Sequence, residues 1–408
     1  MTSNHQPSIN AEATGQKQVA IVTATRAEYG LLSNLIGAVD DHPKLALQLY
    51  VTGSHLLPEQ GMTIDQIRRD GHEITAEVPI LTPGERQTDL QVSLATANAL
   101  KGFALAFEKF RPDILVVLGD RYELLGICSA ALLAHIPIVH IHGGEVTEGA
   151  MDEAIRHAVT KLAHLHFVAA EAYRQRVIQM GEQPDRVFNV GAPGLDVIQN
   201  MDYLSKQALE DDLGMSFSSP LFLVTYHPVS WGKTEGMVAL ENLFKAIENF
   251  PHATVIWTAA NTDASGDELN HRVREWVAET NINAEFVTSL GSQRYLSLMK
   301  LCDAVIGNSS SGIIEAPAMG VPTINIGERQ AGRLRAASII DCDEGALSIE
   351  QAIEHALSQP FQALLSQSQS VYGQGESSQK MVEILEATLF SDSKTFSAKS
   401  FYDLESHT

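Results

Sequence analysis

The chain has 408 residues, too many for one ordinary domain and enough for two of about 150–200 residues. Apolar residues make up 44% of it and the formal net charge is −22. That balance argues against nucleic acid or an anionic membrane as partner, while leaving room for an anionic small ligand held by a few local arginines. Cys128, Cys302 and Cys342 are scattered without metal-like spacing, and no apolar run approaches the ~18 residues that span a bilayer. These features predict a cytoplasmic protein with reduced thiols and no metal site.

Residues 1–17 are polar and aperiodic, which predicts a disordered tail. QVAIVT (18–23) reads as a buried strand. It runs into ATRAEYG, with Arg26, Glu28 and Tyr29, and then a helix, LLSNLIGAV. LALQLYVTG is a second strand, and LQVSLATANALKGFALAFEKF a long helix. DILVVLGD (113–120), ELLGICSAALLA (123–134) and IPIVHIH (136–142) then alternate strand, helix, strand. This is the pattern of a parallel sheet covered on both faces. MDEAIRHAVTKLAHLHF reads as one helix with acids in its first turn.

Near residue 200 the pattern restarts: LFLVTYH, MVALENLFKAIENF, ATVIWTAAN, INAEFVTS, QRYLSLMKLC, DAVIGNSS, SGIIEAPAMG and PTINIG alternate in the same way. The expected architecture is α/β, with Rossmann-like domains over 18–200 and 201–375 whose parallel sheets face a central cleft, the default ligand site. Residues 376–390 form a C-terminal helix expected to pack back on the first domain, and 391–408 a mobile tail.

In such folds ligands meet the residues beyond the carboxyl ends of strands. After the first strand comes Arg26, with no G-x-G-x-x-G to suggest a dinucleotide. After the third come Asp120 and Arg121, suited to sugar hydroxyls, phosphate or acid–base work; a helix cap by Asp120 fits equally. After the fourth comes HIHGGEVTEGAMDEAIRH (140–157), which crowds His142, Glu145, Glu148, Asp152 and Arg156 around a Gly-rich loop. Asp152 and Arg156 are four apart on one helix face, as are Glu153 and His157, a spacing that also describes ordinary surface pairs. In the second half, His227 ends a strand, and Asn261 and Asp263 lie in a loop with turn composition. Ser309, Ser310, Ser311 and Gly312 open a helix, where backbone N–H groups favour phosphate. Serine capping with a nearby acid explains the same residues. Glu315 lies one turn further on, within reach of ribose hydroxyls. Arg329 and Arg333 suit a pyrophosphate or a solvated loop. No Walker A, zinc-binding or G-x-S-x-G pattern is present.

In their joint order, TATRAEYG, VTGSHL, GDRYELLG, HIHGGEVTEGAMDEAIRHAVTKLAHLHF, TYHPV, LGSQRYLSL and GNSSSGIIEAPAMGVPTINIGERQAGR resemble one family. It is the hydrolysing UDP-N-acetylglucosamine 2-epimerases, and within it the bacterial branch serving sialic- or legionaminic-type acids. The resemblance spans roughly residues 18–385 and implies the two-domain GT-B fold. It implies that Arg26, Ser309, Ser310, Glu315 and Arg329 hold UDP, the serines at the diphosphate and Glu315 at the ribose. It places Arg121 and His227 beside phosphates and sugar, and Asn261 and Asp263 on the uridine side. Asp120 and Asp152 match catalytic carboxylates, with Arg156 beside them. Many relatives read H-I-E-G-G where this chain has His142, and their following loop is one residue shorter. His142, Glu145 or Glu148 is then the third acid–base group.

The implied reaction is elimination of UDP followed by hydration. It releases UDP and a free 2-acetamido sugar inverted at C2, and needs no cofactor. UDP-N-acetylglucosamine and UDP-N,N′-diacetylbacillosamine are the candidate substrates, and relatives suggest a homodimer or a dimer of dimers. A non-hydrolysing epimerase, a GT-B glycosyltransferase and a UDP-sugar-binding regulator are the competing readings.

Overall fold

A computed structural model describes residues 15–85, 88–146, 151–227, 233–260, 264–365, 370–391 and 399–404. The chain divides into two compact units, 1–196 with 376–408, and 197–375.

The first unit is built on a seven-stranded, all-parallel sheet. Its strands are β1 (Lys17–Thr23), β2 (Leu45–Thr52), β3 (Ile74–Val78), β4 (Ile114–Leu118), β5 (Ile138–Ile141), β6 (Leu165–Val168) and β7 (Val187–Asn189), in the order β3-β2-β1-β4-β5-β6-β7. Helices cover both faces, so the central strands are apolar throughout rather than alternating: all five residues of β4 and all four of β5 are buried. Separate apolar clusters fill the two sides, one around Ile21, Leu32 and Val116, the other around Phe103, Phe107 and Ile127.

The second unit repeats the plan with six parallel strands: β8 (Leu221–Thr225), β9 (Thr254–Thr258), β10 (Asn283–Val287), β11 (Ala304–Gly307), β12 (Thr323–Ile326) and β13 (Ile339–Cys342). Their order, β10-β9-β8-β11-β12-β13, reverses direction between β8 and β11, as the first sheet does between β1 and β4. Phe244 stacks on Trp276 at 4.8 Å, and both pack on the buried Trp257.

The helix expected over MDEAIRHAVTKLAHLHF stops at Leu162, and LHFV forms β6 instead. The reason is tertiary. His166 pairs in register with His140 on β5 and is wholly buried, its Nε2 3.0 Å from the Glu182 carboxylate. Glu182 also accepts from Lys161 at 2.5 Å, and this pairing draws its carboxyl down to about 2 even against burial.

The C-terminal helix Ser377–Leu389 packs on the helix Arg26–Asp40 of the first unit. Its first two amide N–H groups donate to the buried Asp196 carboxylate at 2.7 Å. The tail, expected to be free beyond 390, is held at 399–402. Lys399 Nζ donates to the carbonyls of Lys161 and Ala163, both at 2.6 Å, and lies 2.8 Å from Glu182. Tyr402 N–H donates to Gly181 O at 2.9 Å, and the Phe401 ring fills the space beside Gly181 where a Cβ would sit. Among the described residues no helix is long and apolar enough to cross a membrane.

Candidate active site

In the first unit, β1, β4 and β5 are neighbours, so the segments that follow them share one carboxyl edge. After β1, Thr25 caps the helix Arg26–Asp40 and Glu28 completes a capping box, its Oε2 accepting from Ala24 N at 2.8 Å and Thr25 N at 3.0 Å. Arg26 is exposed at the helix start. Burial, and next the charge of Glu123, push the Glu28 carboxyl up to about 7.

After β4, Asp120 does not cap the next helix; Glu123–Leu133 starts from Tyr122 without a side-chain cap. The Asp120 carboxylate accepts instead from Arg156, whose side chain is only 5% exposed. The i,i+4 spacing of Asp152 and Arg156 therefore does not become a direct helix pair; Asp120 is the anion that Arg156 contacts. The guanidinium reaches across to β4, and its Nη1 also donates to His142 O at 2.8 Å and lies 3.9 Å from Glu145 Oε2. Asp152 stays half-buried; burial, then the Asp120 charge, raise its carboxyl, with Arg121 and Arg156 pulling the other way. Arg121 Nε donates to Glu123 Oε1 at 2.6 Å. The other Glu123 oxygen is buried with no hydrogen-bond partner among the described residues. Glu153 and His157 form the expected helix pair at 3.2 Å.

After β5 stands His142, with left-handed φ +67°, hydrogen-bonded through Nδ1 to Glu145. The glycines that follow are closely packed. A Cβ on Gly144 would lie 2.6 Å from Tyr173 O, and one on Gly143 would crowd Thr160 and His140. His140, two residues earlier, is fully buried, and burial drives its pKa down to about 3. It is therefore neutral. Its Nε2–H donates to Gly119 O at 2.7 Å, and Nδ1 lies 3.1 Å from the Thr160 hydroxyl oxygen, which itself donates to Arg156 O at 2.9 Å.

In the second unit the corresponding edge lies between β8 and β11. Asn308 ties the two strand ends together: its side chain accepts from His227 N at 2.7 Å and donates to His227 O at 2.9 Å. Its carbonyl accepts from Arg329 Nη1 and Gln330 Nε2, each at 2.9 Å. Ser309 caps the helix Ser310–Ala318, accepting from Ser311 N at 3.4 Å, so the capping account of this segment holds alongside its anion-friendly helix start. A Cβ on Gly312 would meet Thr323 at 2.7 Å, and its own N–H donates to Ser309 O. Glu315 has one carboxylate oxygen shielded and without a partner among the described residues. Burial pushes its carboxyl up to about 7, against the pull of the Ser311 hydroxyl and the Arg333 charge. Glu148, Asn261 and Asp263 lie outside the described residues, as does the N-terminal segment 1–14.

Two residues of these edges escaped the sequence reading. Asn308 was legible only as the polar residue ending an apolar strand, and Glu123 only as a first-turn acid. Among the described residues no group of three or more His, Cys, Asp or Glu is disposed to hold a metal ion.

The family described as UDP-N-acetylglucosamine 2-epimerase matches residues 37–386. The chain is 42% identical over 346 residues to a Campylobacter jejuni GDP/UDP-N,N′-diacetylbacillosamine 2-epimerase (hydrolyzing), covering 85% of this chain and 89% of that one. It is 32% identical over 372 residues to a Legionella pneumophila UDP-N,N′-diacetylbacillosamine 2-epimerase (hydrolyzing), covering 90% and 95%. Among solved structures, the Neisseria meningitidis UDP-GlcNAc 2-epimerase bound to UDP-GlcNAc superposes with a TM-score of 0.75 at 18% identity, over 90% of this chain and 99% of that one. That likeness supports the two-domain GT-B fold.

Proposed function

The chain belongs to the UDP-N-acetylglucosamine 2-epimerase family, and from that premise we propose how it works and on what. It is an enzyme, a hydrolysing 2-epimerase that converts a UDP-linked 2-acetamido sugar and water into UDP and the free C2 epimer. The proposed substrate is UDP-N,N′-diacetylbacillosamine, giving 2,4-diacetamido-2,4,6-trideoxymannose for nonulosonic-acid synthesis. The carrying observation is the 42% identity, over 85% of this chain, to an enzyme named for that sugar. UDP-N-acetylglucosamine, giving N-acetylmannosamine, is the second reading.

The chemistry needs a group that takes the C2 proton while the C1–O bond breaks, so that the C1–C2 double bond forms and UDP leaves with the bonding electrons. Water then bonds to C1, losing a proton to a base, and C2 regains a proton on its other face. Two faces call for two separately placed acid–base groups. Asp120 and Asp152 are assigned to this work, with a third position at His142–Glu145. Arg156 anchors Asp120 in place. The close packing of charged groups supports a catalytic role, because burying ionisable groups is costly unless they are paired or used.

The second unit is assigned to UDP. Ser309, Ser310 and Ser311 with the helix start, and Arg329 and Arg333, meet the diphosphate, where charge grows as UDP departs. Glu315 takes the ribose hydroxyls, and His227 borders the phosphates. Arg26 and Arg121 are assigned to the substrate as well. A homo-oligomeric, cytoplasmic enzyme completes the reading.

The test incubates the protein with both UDP-sugars side by side, coupling released UDP to a detection enzyme and identifying the free sugar by NMR. Release of UDP and a C2-inverted sugar from the diacetamido substrate is expected, with the other at least tenfold slower in kcat/KM. A product that keeps UDP attached would instead indicate the non-hydrolysing reaction.

A further inference from the structure

Asn308 is the point in the second unit where three segments meet. It follows β11 directly, and both the end of β8 and the segment after β12 bond to it. Gly307 lets the strands close here. Its φ is +134°, and a Cβ on it would overlap Thr225 O of β8, so only glycine fits. The Asn308 N–H then donates to Thr225 O at 3.2 Å, extending the β8–β11 ladder by one rung.

The buried Asn308 uses every polar atom it has. A backbone N–H can only donate and a backbone carbonyl only accept, so the side-chain amide has one orientation. Its Oδ1 accepts from His227 N at 2.7 Å and its Nδ2 donates to His227 O at 2.9 Å. Aspartate could make the first bond and not the second; an apolar residue could make neither. The Asn308 carbonyl accepts twice more, from Arg329 Nη1 and Gln330 Nε2, each at 2.9 Å. Gln330 is buried, and its Oε1 is shielded without a hydrogen-bond partner among the described residues. Buried amides ordinarily pair both ends. This one leaves its acceptor unpaired and spends its donor on the carbonyl that also takes Arg329. Asn308 leads directly into Ser309, which caps the helix Ser310–Ala318. The groups assigned above to the phosphates thus come from three segments, His227 from the end of β8, the serines from after β11 and Arg329 from after β12, and Asn308 bonds or leads to each.

We propose that Asn308 is a positioning residue for UDP: its side chain fixes the backbone of His227, its carbonyl fixes the guanidinium of Arg329, and the spacing of both from the helix start at Ser309 is set at this one residue. This rests on the UDP-binding reading above. Asn308 is buried and acts on UDP only through the groups it holds. A displacement of about 1 Å in such groups costs about 10²-fold in rate.

The test uses the full chain as wild type, N308A, N308D, H227A and N308A/H227A. UDP affinity is read by isothermal titration and kcat/KM from UDP release with both UDP-sugars, while thermal unfolding checks that each protein folds. N308A is expected to lose about 10²-fold in kcat/KM and about tenfold or more in UDP affinity while still folded at the assay temperature. N308D keeps the bond to His227 N and is expected to fall between N308A and wild type. In the H227A background the N308A change should cost less than about threefold in UDP affinity, because the main group through which Asn308 acts is gone. A purely structural asparagine gives a different pattern: a lower Tm, with the same fold-loss in both backgrounds. The proposal is overturned by that pattern, by N308A within about threefold of wild type in both readouts, or by H227A matching wild type, which would leave Asn308 nothing to position. If N308A does not fold, N308D and N308D/H227A carry the same comparison. Wild type that neither binds UDP nor releases it from either sugar would remove the UDP-binding reading itself; wild type that does both while N308A keeps pace overturns the positioning role alone.

Discussion

The two units place different chemistry at equivalent edges of equivalent sheets. At β4 and β5 of the first unit the chain spends charged side chains: Asp120 on Arg156, Glu123 on Arg121, Glu145 on His142. At β8 and β11 of the second it spends hydroxyls and backbone, with Asn308 clasping two strand ends and Ser309 opening a helix. Both sheets reverse strand order at these edges, so the fold supplies the location in each case and the local side chains supply the difference. Groups that move protons must be titratable and held in one orientation. Groups that grip a diphosphate need only present donors. If the division holds, substitutions at the proposed acid–base carboxylates act mainly on kcat, and substitution of Glu315, proposed to hold the ribose, acts mainly on KM.

The sharpest way to break it is D120N. This change removes the proposed acid–base carboxylate and leaves Arg156, 5% exposed, without its Asp120 anionic partner. UDP release is expected to fall by about 10³-fold or more in kcat, with KM changed less than threefold. A D120N enzyme whose loss appeared mainly in KM would move Asp120 to the binding side. The complementary test is E315Q. Loss of a charged acceptor costs about 1.5–3 kcal/mol, so isothermal titration should show UDP affinity reduced about ten- to a hundredfold, while kcat at saturation stays near wild type.

How much of this was legible beforehand divides along the same physical lines. The central strands announced themselves because both of their faces are covered, which makes them continuous apolar runs. Three of the four edge strands did not. ITAEV, VFN and IIDC are partly exposed and carry polar residues, so β3, β7 and β13 gave little signal. HLHF was absorbed into the preceding helix because its histidines look polar in sequence, yet His166 is buried on Glu182. For the site, residue type and strand-end position were enough to nominate Asp120, Asp152, His142, Glu145, Ser309 and Glu315. Partner choice was not. Arg156 stands one helical turn from Asp152 but pairs with Asp120, 36 positions away, and only the packing of the helix Met151–Leu162 against β5 and the helix Glu123–Leu133 decides that.

A smaller effect follows from pH. Burial raises the Glu315 carboxyl to about 7 from an ordinary value of 4.5. The folded protein therefore holds a proton there that the unfolded chain gives up above pH 4.5, and stability falls as pH climbs from 4.5 through 7. E315Q has no such proton to lose. Differential scanning should find E315Q with a higher Tm than wild type at pH 8 and the gap closing toward pH 5. UDP affinity of the wild type should rise with pH through 7, as the carboxylate forms, and that rise should be missing in E315Q. A flat wild-type profile would mean that Glu315 does not bind through its ionised form.

The smallest expected effect lies far from either edge and tests whether the first unit's rigidity matters to its chemistry. Lys399 anchors the tail to the last turn of the helix Met151–Leu162, donating to the carbonyls of Lys161 and Ala163 and pairing with Glu182. A cation at a helix C-terminus satisfies carbonyls that have no partner within the helix and complements the helix dipole. The same helix carries Asp152 and Arg156 near its other end. K399M keeps much of the aliphatic stem and removes only the ammonium. Its loss should cost about 1–3 kcal/mol, seen as a Tm lowered by about 2–6 °C, with kcat reduced less than threefold because Arg156 remains tied to Asp120. A K399M enzyme that kept its Tm but lost tenfold in kcat would show that the tail acts on the position of the helix itself, and that the catalytic edge depends on contacts well beyond its own strand ends.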